Sequence, residues 1–290
     1  MNSILQDIEE LRSIVRPFIA AHPSKSMPIV EWTFLHALER VDRNLHSIHT
    51  LVKEDLEAHE HGIGLLSRNL LSDFLIIGHA VRSSTQLTIE AELMPLFRSD
   101  IEKVEAHEER YNRNKQFTTE EYLDYPIGGR LNRTIGDIVA DYYKANPEPI
   151  DPAMSCPHCK TKRPKKVTKK RWDSNADIAE KAMKMKPPSA LAVNLWRAYD
   201  QWFYYSKYEH IGWHSFVLTR SNTVEMMEAR LRRILLRTSV LMGLCFDMLE
   251  HREELERSMS IVQRLFNETP IPADKESDPG SELGKDKPQT

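Results

Sequence analysis

Apolar residues recur at every third or fourth position through most of the chain, the spacing of one helix face. Ile4, Ile8, Leu11, Val15 and Phe18 or Ile19 predict a first helix from Asn2 or Ser3 to Ala21. The segment His22 to Ser26 breaks it, and Ser26 is the expected N-cap of a long second helix. There Phe34, Leu38, Val41, Leu45, Ile48 and Val52 alternate steps of four and three, as a coiled-coil seam does. Such a seam packs lengthwise against another helix.

Gly62 and Gly64 open a third helix with Ile63, Leu66, Leu70, Phe74, Ile77 and Val81 on one seam. Arg68, Ser72, His79 and Arg82 lie opposite, flanked by Leu65, Leu71 and Leu75, so this polar row is expected to be half buried against a neighbouring helix. Two more helices are predicted around Leu87 to Tyr111 and Leu131 to Lys144, separated by a turn region with Pro126, Gly128 and Gly129. From 146 to 175 the periodicity collapses into a Pro-rich basic loop, and it resumes at Ala176. A last helix is expected from Thr223 to about Phe266, with Leu231, Leu235, Leu241 and Leu249 in its core, followed by a disordered tail over 268–290. No internal repeat of solenoid period is present.

Between loop and last helix, Pro187 and Pro188 start an aromatic helix. Over Leu195 to Leu218, residues Trp196, Tyr199, Phe203, Ser206, His210, His214 and Val217 fall on one stripe at helical spacing. Polar groups kept on a buried face need partners, because each one left unpaired costs about 1 to 3 kcal/mol. The stripe therefore carries either a site or a satisfied structural network.

Composition narrows the class. The 290 residues are 40% hydrophobic and 29% charged, with a formal charge of −3 and only 10 glycines, which suits a globular helical protein rather than a sheet rich in tight turns. The expected fold is all-α: one bundle of long antiparallel helices over 1–267, interrupted by the inserted basic Cys-x-x-Cys loop at 146–175. Three cysteines supply no disulfide framework and no leader precedes the first helix, which points to the cytoplasm. The most hydrophobic stretches, Leu65 to Val81 and Ile234 to Leu249, are short for a bilayer and carry Arg68, Asp73, Arg237 and Asp247, so no membrane partner is expected.

The loop holds Cys156-Pro157-His158-Cys159. Two thiolates at this spacing form half of a tetrahedral zinc site and make Cys156 and Cys159 the candidate ligands of a structural zinc knuckle. A pair of free thiols is the other reading. His210 and His214 have a spacing that could close a Cys2His2 set, though from far away in sequence. Cys245, alone in an apolar helix, reads as a small buried hydrophobe. Eight Lys or Arg residues lie between Lys160 and Arg171; Lys162, Arg163, Lys165, Lys166, Lys169, Lys170 and Arg171 are the candidate nucleic-acid contacts, with Trp172 as a stacking surface. A solvated loop, or one that pairs with an acidic partner, explains the same run.

Leu66-Ser67-Arg68-Asn69-Leu70-Leu71, followed much later by Tyr205-Ser206-Lys207-Tyr208-Glu209-His210, resembles the bacterial domain of unknown function 5677 family. The resemblance spans roughly Trp32 to Phe266, leaving out the loop and the tail, and implies long helices with an arginine on an early one and a Ser-x-x-x-His on a later one. One departure stands out: where the family would carry an acidic residue four positions after the arginine, this chain has Ser72, with Asp73 next to it.

A more distant resemblance is to HEPN proteins, helical bundles of bacterial toxins and antiphage systems, some of which cleave RNA without metal through an Arg and a His. It implies a metal-independent endoribonuclease that requires no cofactor. Arg68 and His210 would be the catalytic pair, Ser206 and Tyr205 would orient them, and His79 or His214 would handle the second proton. The chemistry is sound: an imidazole can take the proton of a ribose 2′-hydroxyl while an arginine offsets phosphate charge. A structural hydrogen-bonded network joining two helices is the simpler reading of Arg68 and His210. The short HEPN-like spacing Arg43 to His49 reads more simply as a solvated helix face. Partners expected on these readings are RNA, and a second copy or an antitoxin-like protein. The alternatives to catalysis are a non-catalytic helical interaction protein and a nucleic-acid-binding module that works through the loop.

Overall fold

The structure, a computed structural model, describes residues 2–22, 27–83, 88–113, 130–147, 172–184, 187–207 and 222–268. These form only helices: α1 Asn2–Ala21, α2 Ile29–Asp55, α3 Glu60–Ser83, α4 Ile89–Arg113, α5 Arg130–Ala145, α6 Asn175–Met183, α7 Ala190–Ser206, α8 Val224–Met248 and α9 Arg252–Glu268. The expected all-α class is what is observed. None of these helices is long and apolar enough to cross a membrane.

The α2 seam is buried as its spacing demands, with Phe34, Leu38, Val41, Leu45, Ile48 and Val52 all fully inaccessible. The helix starts later than expected. Pro28 stands at the N-cap and offers no side-chain bond, so Ser26, outside the described residues, is not the cap. Proline suits this place because its fixed φ leads directly into the first turn. At the other end Asp55 Oδ1 accepts from the backbone N–H groups of Glu57 and Ala58, which turns the chain into α3.

Helix α3 is the hub, packed against α2, α7 and α8. It buries Ile63, Leu70, Phe74 and Ile77 on the predicted seam, but also Leu71, Leu75 and His79 on the flank of the polar row. Burial on both sides is what a central helix needs. One continuous apolar cluster runs through α1, α2, α3, α6, α7, α8 and α9. Helices α4 and α5 pair with each other at its edge, Arg98 lying 4.3 Å over the Tyr143 ring.

The C-terminal region corrects the expected single helix. The chain reverses between Met248 and Arg252, so α8 and α9 are separate helices packed on one another. Glu250 takes φ 61°, the left-handed conformation that closes helix C-termini, while His251 N–H donates to Phe246 O and Glu250 N–H to Asp247 O. The predicted core residues Leu231, Leu235 and Leu241 are buried. Helix α1 lies alongside α8 in the same sense: Arg232 donates to Ser3 Oγ at one end, and Phe18 meets the Phe246 ring edge-on, 5.1 Å between centroids, at the other. Arg264 of α9 reaches back to the carboxylates of Asp7 and Glu10 on α1.

The aromatic helix differs too. Ser189 caps it by accepting from Ala192 N–H, and it ends at Ser206 with Lys207 as C-cap, so no single helix runs from Leu195 to Leu218. Of the described stripe residues, Trp196 is 44% and Phe203 48% exposed, while Tyr199 packs in part on the core. The buried face is instead Ala192, Leu195, Ala198 and Tyr205. Small residues win this contact because they let two helix backbones approach closely. Gly78 on α3 makes room for this face, since an added Cβ there would sit 2.9 Å from Leu195 Cδ2.

Candidate functional site

Close packing of α3 on α7 sets Arg68 beside the aromatic helix, its guanidinium 5.0 Å from the Trp202 ring centroid. A cation held over an indole face gains electrostatic attraction from the ring quadrupole. Partial burial lowers the pKa of Arg68 from its ordinary value. One turn further along α7, Tyr205 is almost fully buried, and desolvation pushes its hydroxyl well above the usual phenol range. It remains protonated at every physiological pH. Tyr205 can thus serve as a hydrogen-bond donor and not as a base. Ser206 spends its hydroxyl on its own helix, donating to Phe203 O at 2.6 Å.

Beside Tyr205 lies a polar network absent from the sequence reading. Arg230 of α8 donates from Nη1 to Tyr204 Oη and to Asn222 Oδ1, both at 2.6 Å, and its guanidinium stacks 4.2 Å over the Tyr204 ring. Asn222 Nδ2 donates to Tyr204 Oη at 3.0 Å and to Glu60 at the start of α3. The network ties α3, α7 and α8 at one end. Its sequence signal is the row Arg230, Arg233 and Arg237, spaced three and four along α8.

His79 occupies the other end of α3, about 16 Å from Arg68 at the helical rise per residue. It does not share a site with Arg68. It is 6% exposed, and its Nε2 lies 3.3 Å from Asp173 Oδ2, while the Trp172 ring packs edge-on at 5.6 Å. Lys181 donates to both Asp173 oxygens at 2.6 Å. Burial lowers the His79 pKa, the nearby charges of Arg82 and Lys181 lower it further, and those of Asp173 and Glu92 oppose the shift. The Nε2 of the imidazole faces the Asp173 carboxylate, and its Nδ1 is buried without a hydrogen-bond partner. Trp172, expected as a stacking surface for bases, instead packs against the core.

The carboxylate nearest the family position is committed elsewhere. Asp73 accepts from Arg40 of α2 through two N–H groups at 2.9 and 3.1 Å. Arg43 is largely exposed near Glu39, as on a solvated helix face, whereas His49 is 21% exposed with its Nε2 3.6 Å from Glu9 of α1. Cys245 is fully buried, and burial pushes its thiol up, as suits a small core residue.

His210, His214, Cys156, Cys159 and the basic residues Lys162, Arg163, Lys165, Lys166, Lys169, Lys170 and Arg171 lie outside the described residues, as does the tail beyond Glu268. Among the described residues no group of three or more His, Cys, Asp or Glu is placed to hold a metal ion. Comparison of the chain with protein families, curated proteins and solved structures finds no match.

Proposed function

We propose that this chain is a HEPN-like bacterial protein of the cytoplasm, a toxin or antiphage defence effector that cleaves RNA without metal. In this reading consecutive long helices of the bundle run antiparallel, and an inserted basic loop, stiffened by a zinc knuckle at Cys156 and Cys159, helps to hold the substrate. The observation that carries it is Arg68, a partly desolvated cation held on Trp202 beside Tyr205, which lie eight and five residues before His210 in sequence. His210 takes the proton of a ribose 2′-hydroxyl and the 2′-oxygen attacks the adjacent phosphorus. The 5′-oxygen leaves with a proton from solvent or a second imidazole, giving a 2′,3′-cyclic phosphate and a 5′-hydroxyl. Arg68 offsets the charge that builds on the phosphoryl oxygens. His79, at the far end of α3, supports helix packing in this scheme.

The test is cleavage of labelled cellular RNA and transfer RNA by wild type and by His210→Ala, with and without EDTA. Expected are cyclic-phosphate ends, activity that survives chelation, and a loss of about 100-fold or more in the variant. A His210→Ala protein that cuts as fast as wild type would overturn the proposal.

A second reading, a non-catalytic interaction protein that binds a second copy or an antitoxin-like partner, is favoured by the exposed row of Trp196 and Phe203 on α7. It is the better account if correctly folded wild type cleaves nothing and forms a stable oligomer.

A further inference from the structure

The C-terminus of α1, the N-terminus of α2 and the turn from α8 into α9 meet at one corner of the bundle, where α1 packs on α2, α8 and α9, and α8 packs on α2. Between them lies a cavity of about 320 Å³. Small-molecule sites run from roughly 300 to 1,000 Å³, so this one suits a small ligand. Its inner wall is apolar, made by Met27, Leu35, Met248 and Leu249, with Leu35 fully buried. An aromatic cluster fixes the adjoining side. The His22 ring stacks on Phe18 with 4.3 Å between centroids, and His251 stands edge-on to Phe18 at 4.6 Å and to His22 at 4.8 Å. His22 Nδ1 lies 2.9 Å from Phe18 O. A carbonyl can only accept, so the ring proton is on Nδ1, and in the neutral ring Nε2 is left as an acceptor.

The charge around the cavity has one sign. Glu31 and Glu250 line it and are exposed, which puts them at its mouth, and no lysine or arginine is among its described lining residues. Helices α1 and α8 bring the negative ends of their dipoles to this corner. The first turns of α2 and α9 begin here with acids of their own, Glu31 on one and Glu253 with Glu254 on the other. Glu250 carries an independent mark: alone among the described residues it holds a positive φ, 61°, where glycine would be free of steric cost. The side chain kept against that cost gives the mouth its second carboxylate. Among the described residues no three imidazoles or carboxylates are placed to hold one metal ion, so the complement of this charge is an organic cation.

The geometry points to a binding site in this cavity for a small organic cation, a primary ammonium on a short arm that ends in an aromatic ring. The Glu31 and Glu250 carboxylates hold the ammonium, with His22 Nε2 as a further acceptor. The arm lies on Leu35 between Met27 and Met248, whose thioethers make favourable contacts with an aromatic ring. The site does not depend on RNA cleavage or on His210.

Calorimetric titration of the full chain tests it, with phenethylammonium chloride as the probe and phenethyl alcohol and hydrocinnamate as its uncharged and anionic counterparts. Wild type should bind the ammonium saturably with a Kd of roughly 1 mM or below. The alcohol and the carboxylate should bind at least about tenfold more weakly. Glu250→Gly removes one carboxylate from the mouth while relieving the left-handed backbone, so it folds, and it should lose about tenfold in affinity for the ammonium. Glu31→Gln should lose a similar factor. Glu105→Gln, which removes the same charge from the exposed surface of α4, should bind as wild type. No saturable binding of the ammonium, equal binding of the alcohol, or wild-type affinity in either mouth variant overturns the site. A loss in Glu105→Gln as large as in Glu250→Gly overturns it too, because the attraction would then come from net charge alone.

Discussion

At the scale of single residues, two side chains pull against their backbone or their burial. Glu250 sits in the left-handed region with φ 61°, where a Cβ costs about 1 to 2 kcal/mol and glycine costs nothing sterically. Glu250→Gly should therefore raise the unfolding free energy by about 1 kcal/mol in a denaturant titration, part of the gain being offset by glycine's greater unfolded-state entropy. His79 is held neutral by burial, with a pKa below the ordinary imidazole value of 6.5. Protonation then favours the unfolded chain, so stability is full above pH 6.5 and is lost as the pH falls from there toward the depressed folded value. Wild type should lose more stability than His79→Gln between pH 7 and pH 5; parallel curves for the two proteins would rule this out. Arg68 and Tyr205 show how far composition can be trusted. Both were singled out as site residues from sequence and do share the α3–α7 seam, yet the buried phenol is too weak an acid for proton transfer.

At the scale of helices, legibility followed from how much of the contact is written in spacing. The α2 seam was readable because its steps of four and three match a lengthwise contact, and every seam residue is buried. On α7, by contrast, apolar size does not translate into burial. The contact is set by Gly78, Ala192 and Ala198, and the large aromatics Trp196 and Phe203 are left outside. That contact yields a prediction: Gly78→Leu gains helix propensity but must displace buried Leu195, so it should destabilise the protein by about 2 kcal/mol in a thermal melt and weaken Arg68 contact with Trp202. The α8–α9 corner escaped notice because it has neither glycine nor proline. Its only mark is Glu253 with Glu254, the acidic pair that opens α9.

At the scale of the whole molecule, the fold class was legible and the assembly was not. Periodicity reports which face of a helix is apolar, never which helix covers it. The link from Glu60 to Asn222, 162 residues apart, and the grasp of Arg264 on Asp7 arise only from tertiary packing. The candidate site was legible in part for the same reason: Arg68 and Tyr205 were marked by their sequence, His79 proved to be remote from them, and Arg230 and Asn222 carried no motif.

The grasp of α1 by α8 and α9 has a consequence for how the protein is made. The apolar face of α1, with Ile4, Ile8, Leu11 and Val15 fully buried in the finished fold, leaves the ribosome well before α8 and α9. Its partners Arg232, Phe246 and Arg264 are synthesised more than two hundred residues later. At about 5 to 20 residues per second that interval lasts roughly ten seconds or more. Throughout it α1 can bury its face only in part, against α2. The bundle closes only once α8 and α9 have emerged, and until then the early helices are a natural client surface for a chaperone.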